Sequence, residues 1–154
     1  MKLHLTLFVT FLATVASISA ASQVDKTALL VLPQVVEIDS EISASVEFRW
    51  DEDVPVVLNT WLIDDQLKTY GQLFFFDEEG KEVPTLHPVS VPLVPTGTKI
   101  LQNGDLLKIG LYAMGWPQFP QAGSYYAIAI FSSAFVGDTN VKFTTIKRWF
   151  EVTG

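Results

Sequence analysis

The stretch ISASVEFRW, Ile42 to Trp50, restricts the fold more than any other part of the chain. Ile42, Ala44, Val46, Phe48 and Trp50 alternate with Ser43, Ser45, Glu47 and Arg49. Successive side chains of an extended strand point to opposite faces, so this segment reads as a strand with one face in a core and the other in water. At 154 residues there is room for one domain with a real core and too little for two ordinary ones.

The remaining apolar runs are equally short and are punctuated by turn residues. TALLVLPQVVEI carries Pro33 in its middle, which marks an edge strand with a break. Asp51 to Asp53 lead into a second strand, VPVVLNTWLI. QLFFFDEEGKEV reads as a hairpin, with Gly80 as the residue that takes positive φ at no steric cost. TLHPVSVPLVPTGT holds three prolines and no helical period, so it is expected to cross between sheets in extended form. KILQNGDLLKIGLY bends at Asn103-Gly104-Asp105, and VKFTTIKRWFEV is a last strand after the Gly137-Asp138 turn. The count is about seven or eight strands and no amphipathic helix after residue 21, an all-β chain whose natural arrangement is an antiparallel sandwich.

GWPQFPQAGSYYAIAIF, Gly115 to Phe131, turns sharply and then enters the core. Within it, Gly123-Ser124-Tyr125-Tyr126-Ala127 resembles the G-x-Y-x-C pattern of immunoglobulin-like sandwiches, with Ala127 where the cysteine would stand. The resemblance implies that Tyr125, with Gly123, forms a structural corner in which the tyrosine hydroxyl ties back to the preceding loop. Both faces of Tyr125 to Phe131 are apolar, so something must cover the second one. The proline-bearing crossover is the expected cover, with another chain as the alternative. The order of strand, Gly80 hairpin, crossover, L-x-x-G-D and A-G-S-Y-Y is also similar to the N-terminal pro-region of fungal deuterolysin-type metallopeptidases. That resemblance implies a chaperone or inhibitor role.

LHLTLFVTFLATVASISAA, after Met1 and Lys2, has the layout of a secretory signal peptide, with cleavage expected after Ala21 or Ala20. The run approaches membrane-spanning length, but it ends in Ala and Ser and no basic cluster follows. The expected organisation is therefore a signal peptide over 1–21 and one domain over 22–154 of a secreted protein. Without Lys2 the chain carries 9 basic and 17 acidic residues, a charge of −8, which disfavours nucleic acid and anionic membrane as partners. There is no cysteine, so the core alone must hold the fold. None of Asn59, Asn103 and Asn140 opens a glycosylation sequon.

Little chemistry is legible. His87 is the one histidine of the mature chain, so neither a zinc ligand set nor a serine nucleophile with its base can be assembled. No cofactor, metal site or catalytic residue is expected. The acidic groups Asp51 with Asp53, Asp64 with Asp65, and Asp77 with Glu78 and Glu79 read as turn residues; an enzyme using two of them in a cleft is the lesser alternative. Trp50, Trp61 and Trp149 read as core, and Arg148 beside Lys147 and Trp149 as a wet strand face with a cation–π contact. Trp116 stands between Gly115 and Pro117 in a loop, where core packing explains it less well. With Phe119 and Tyr112 it forms the candidate binding set. The function these features favour is a secreted, non-enzymatic binding module for a protein or a small apolar or carbohydrate ligand. A proteinase inhibitor or pro-domain-like chaperone acting through the loop from Gly115 to Ala122 is the alternative.

Overall fold

The computed structural model describes residues 23–63, 65–86, 95–113, 116–135 and 140–154. The segment expected to be a signal peptide, most of the proline-bearing crossover, Asp64, His87 and the Gly137-Asp138 turn lie outside the described residues. Every regular element among those described is a strand: β1 (Gln23–Val31), β2 (Val35–Glu37), β3 (Ala44–Arg49), β4 (Val56–Ile63), β5 (Gln66–Asp77), β6 (Thr85–Leu86), β7 (Gly97–Leu101), β8 (Leu106–Ala113), β9 (Trp116–Pro117), β10 (Gly123–Phe135), β11 (Asn140–Thr145) and β12 (Arg148–Thr153).

All-β is thus what the chain forms, but the immunoglobulin-like antiparallel sandwich of seven or eight strands needs correcting. Strands β10, β11, β1, β3, β8 and β5 pair in turn, and β5 pairs back onto β10, so six strands close into a barrel. Two pairings in that ring, β1 with β11 and β5 with β8, are parallel. Closure comes from two strands that change partners along their length. In β1, Gln23 to Ala28 lie against β11, whereas Leu29 to Val31 lie against β3. In β5, Lys68 to Gly71 follow β8, and Gln72 to Asp77 follow β10. Strands that pass from one sheet to another make the corners of such closed packings. Pro33 breaks the segment as expected, yet β1 is a paired member of the ring, and it is β2 that lies at an edge, parallel to β12.

The ring is filled by side chains. Ala44, Val46, Phe48 and Trp50 are buried, as the alternation in this segment requires, and Ile42 is half-buried. Phe48 meets Phe143 at 4.5 Å between ring centroids, and Phe143 stacks on Phe131 at 4.7 Å. Tyr125, Ala127, Ala129 and Phe131 point inward from β10; on its other face Tyr126 is buried and Ile128 and Ile130 are half-buried.

The turns follow the chemistry of their residues. Gly80 has φ 83° and its N–H donates to the Asp77 carbonyl at 3.0 Å, while Asp77 Oδ1 accepts from the N–H of Glu79 and of Lys81. Gly104, at φ 91°, closes the bend between β7 and β8, where Gln102 N–H donates to Asp105 Oδ2.

β11 and β12 behave as one long partner of β10 with a step in the middle. Ile130 lies opposite Thr144 and Ala127 opposite Arg148, so two residues of β10 face three, Thr145 to Lys147, on the other side. One extra residue on one strand is a β-bulge. Its consequence is a change of parity: Val141, Phe143 and Thr145 are buried before it, Phe150 and Val152 after it. Trp149, expected in the core, is therefore turned outward and is 48% exposed.

Candidate functional site

The corner ahead of β10 gathers three of the sequence-derived residues. Tyr125 is buried, and its hydroxyl donates to the Gln121 carbonyl at 2.9 Å. That bond closes the chain over Ala122 to Ser124, and Gly123 starts β10 opposite Val152. Phe119 is half-buried on the same core: its ring lies 4.8 Å from Tyr125, 5.7 Å from Phe75 and 5.9 Å from Phe150. It plugs one end of the barrel, which makes it an anchor for the loop and leaves little of the ring to meet a ligand.

Just before it, β9 pairs with β6, Thr85 opposite Pro117 and Leu86 opposite Trp116. Gln118 N–H donates to the Pro84 carbonyl at 2.8 Å, and Val83 N–H to that of Phe75. Pro117 and Val83 are buried beneath this small ribbon. The outward positions are apolar too: Trp116 is 46% exposed and Leu86, directly across from it, is 58% exposed. A tryptophan and a leucine held side by side on a hydrogen-bonded two-strand ribbon form a pre-organised apolar contact. Tyr112 is not part of it by pairing; it lies in β8, opposite Tyr70 of β5, and its side chain lies outside the described residues.

On the other side of the corner a cleft of about 240 Å³ is lined by Asp77, Glu78, Glu79, Gln121, Gly123, Ser124 and Tyr125. Its carboxylates belong to the hairpin turn: Asp77 Oδ1 caps it, and both Glu78 and Glu79 are exposed on the tip. The acidic turn ahead of β4 is engaged. Asp51 and Glu52 both receive the Lys26 ammonium, and Asp53 Oδ1 accepts from Asn103 Nδ2 at 3.1 Å. Among the described residues no three His, Asp or Glu side chains are grouped to hold a metal ion.

A second aromatic group, with Trp149 as its exposed member, was not foreseen. Phe76, Tyr126 and Trp149 lie directly opposite one another on β5, β10 and β12, on the outer face of the barrel. Phe76 stacks on Tyr126 at 5.0 Å, and Trp149 meets Tyr126 at 4.9 Å. Lys147 Nζ lies 4.3 Å from the centroid of the Tyr126 ring, so the cation–π contact on this face is made by Lys147 with Tyr126, whereas Arg148, expected on a wet face, is half-buried with its Nε covered. The signal for this group was the shift of apolar residues from odd positions, Val141 and Phe143, to even ones, Phe150 and Val152.

The chain matches no model of a known protein family and no curated protein, the deuterolysin-type pro-region included.

Proposed function

We propose that the chain is a secreted, non-enzymatic binding module whose primary contact is the loop and ribbon of residues 116–122. The observation that carries this reading is the exposure of Trp116 beside Leu86 on a ribbon fixed by Gln118, Phe119 and Tyr125. Large rings held rigidly at a surface lose little entropy on binding and supply much of the affinity at interfaces. The likeness to immunoglobulin-like domains rests on the Tyr125 corner, with the ring closure as the departure from it. The ligand classes that suit an exposed indole with an aliphatic neighbour are an apolar protein segment, a small apolar molecule and a sugar ring.

Native mass spectrometry of the mature protein, taken from the medium of the cells that make it, tests the reading. Wild-type protein should carry a bound species, and Trp116→Ala should lose it while its thermal unfolding stays the same. A bound species that survives in Trp116→Ala would remove the loop from the interface. N-terminal sequencing of the same sample should find Ser22 or Ala21 first; an intact Met1 in a membrane fraction would overturn secretion.

A proteinase-inhibitor role is the second reading, favoured by the anchoring of this loop at both ends, which leaves Gln118, Pro120, Gln121 and Ala122 exposed between fixed points. A panel of secreted proteases decides it: stoichiometric inhibition abolished by changes at 118–122 supports it, and simple cleavage of the loop sinks it.

A further inference from the structure

The turn between β7 and β8 carries Asn103 directly before Gly104, and that pair has a reactivity of its own. The side-chain carbonyl carbon of an asparagine lies within reach of the next residue's backbone nitrogen, and attack there closes a five-membered ring. A side chain on that next residue crowds the approach; glycine has none. The other asparagines, Asn59 and Asn140, are followed by Thr60 and Val141, whose branched Cβ atoms hinder it. Gln102 to Asp105 are all exposed, so water reaches the turn.

The fold ties down both reacting groups. Gly104 N–H donates to the Trp50 carbonyl at 2.7 Å, so the nitrogen that would attack has its proton held by the backbone of a fully buried residue. Asn103 Nδ2, the nitrogen that would leave, donates to Asp53 Oδ1 at 3.1 Å, which fixes the amide plane. Trp50 fastens the turn a second time, its N–H donating to the Asp105 carbonyl at 2.8 Å. Within the turn, Asp105 N–H donates to the Gln102 carbonyl at 3.0 Å, and Asp105 Oδ2 accepts from Gln102 N–H at 2.9 Å.

We propose that Asn103 is a self-modification site, held shut in the native turn and opened by local unfolding of residues 102–105. Once Gly104 N–H leaves the Trp50 carbonyl, a solvent base takes its proton and the nitrogen attacks the Asn103 side-chain carbon. A C–N bond forms, the bond to Nδ2 breaks, and ammonia leaves. Water then opens the ring at either carbonyl, giving aspartate at 103 or its isoaspartate form, in which the main chain is longer by one atom. The net change is one water consumed and one ammonia released. Either product puts a carboxylate where Nδ2 met Asp53, two residues from Asp105, and like charges so close repel. The lengthened main chain also puts the two bonds to Trp50 out of register. Modification therefore unfastens this end of the barrel, an irreversible loss of stability that accumulates with age. The site is separate from the Trp116 loop and does not depend on its role.

Incubation of the mature chain in mildly alkaline buffer, followed by peptide mapping with mass spectrometry, tests the proposal. Conversion of amide to acid is expected at Asn103 and not at Asn59 or Asn140. In the guanidinium-unfolded chain it should run at least about tenfold faster than in the folded chain, because the native turn must open first. Asp53→Ala changes an exposed side chain and should speed conversion in the folded chain about threefold, the factor one weak hydrogen bond commands, with the circular dichroism spectrum unchanged. Asn103→Gln, whose longer side chain closes a ring far less readily, should stay unmodified over the same period. The aged form, separated by anion exchange through its added negative charge, should unfold at a lower temperature than its parent. No conversion at Asn103 in the unfolded chain, equal rates folded and unfolded, or an unchanged or slower rate in Asp53→Ala would overturn the gated site. An aged form as stable as its parent would overturn the unfastening at Trp50.

Discussion

The backbone N–H of Ala129 donates to the side-chain hydroxyl of Thr145 at 2.8 Å, in the buried interior of the sheet. At this point the extra residue of the bulge interrupts the β10–β11 ladder, and the Thr145 oxygen supplies the acceptor that a backbone carbonyl would otherwise provide. An unsatisfied buried amide is costly, so the hydroxyl is what makes the bulge tolerable in the core.

Thr145→Val keeps the shape and removes that acceptor. It should lower unfolding free energy by about 1–3 kcal/mol, the cost of stranding a buried donor, whereas Thr145→Ser should cost less. Urea denaturation of the two variants checks this, and a larger loss in Thr145→Ser than in Thr145→Val would mean that the methyl group, not the hydroxyl, matters.

At the corner, Tyr125→Phe deletes the bond to the Gln121 carbonyl and should lose about 1 kcal/mol. Tyr126→Phe should lose less, since the Tyr126 ring is held by Phe76, Trp149 and Lys147. If the loop depends on this bond, Tyr125→Phe should also speed proteolytic cleavage within 118–122, a readout that mere loss of core packing elsewhere would not localise.

How much of this was legible follows from how local each signal is. The alternation from Ile42 to Trp50, the Gly80 turn and the inward set of β10 depend on neighbouring residues, and the structure follows them. Ring closure depends on β1 and β5 each having two partners, a relation between residues far apart in sequence that no local period encodes. Trp149 was misread for a definite reason. Strict alternation from Val141 places odd positions inside, and a single extra residue reverses that for everything after Lys147. Of the candidate site, Trp116 was legible as a large ring in a proline-flanked loop. The role of Phe119 as a plug was not, because its partners Phe75 and Phe150 come from distant strands.

Gly71 marks the place where β5 leaves β8 for β10. A Cβ added there would lie 2.5 Å from Leu111 Cδ1 and 3.1 Å from the Ile130 carbonyl oxygen. A glycine inside a strand often signals such a close approach. Gly71→Ala should therefore destabilise by about 1–3 kcal/mol through overpacking. Leu111→Val in the same chain should recover part of the loss by withdrawing the nearer atom, as thermal denaturation of the single and double variants would report. No recovery would assign the strain to the backbone contact with Ile130.

Lys26 stands over the buried Trp50 ring at 5.7 Å and bridges Asp51 and Glu52, so this end of the barrel should show a defined response to pH. The Glu52 and Asp51 carboxylates raise the Lys26 pKa above its ordinary 10.5, and the Lys26 ammonium lowers that of Asp51 below its ordinary 3.8. A raised lysine pKa gives stability that is fully present below 10.5 and is lost as pH rises through the folded value; a lowered aspartate pKa gives stability present above 3.8 and lost as pH falls through the folded value. Lys26→Met keeps most of the stem over Trp50 and removes the charge. The stability difference between wild type and Lys26→Met should be a plateau across neutral pH that narrows at both the acid and the alkaline ends, and added salt should lower the plateau because the pair is partly exposed. Denaturant titrations across that range measure it directly. A difference that stays constant from acid to alkaline pH would show that Lys26 acts through its hydrocarbon stem alone.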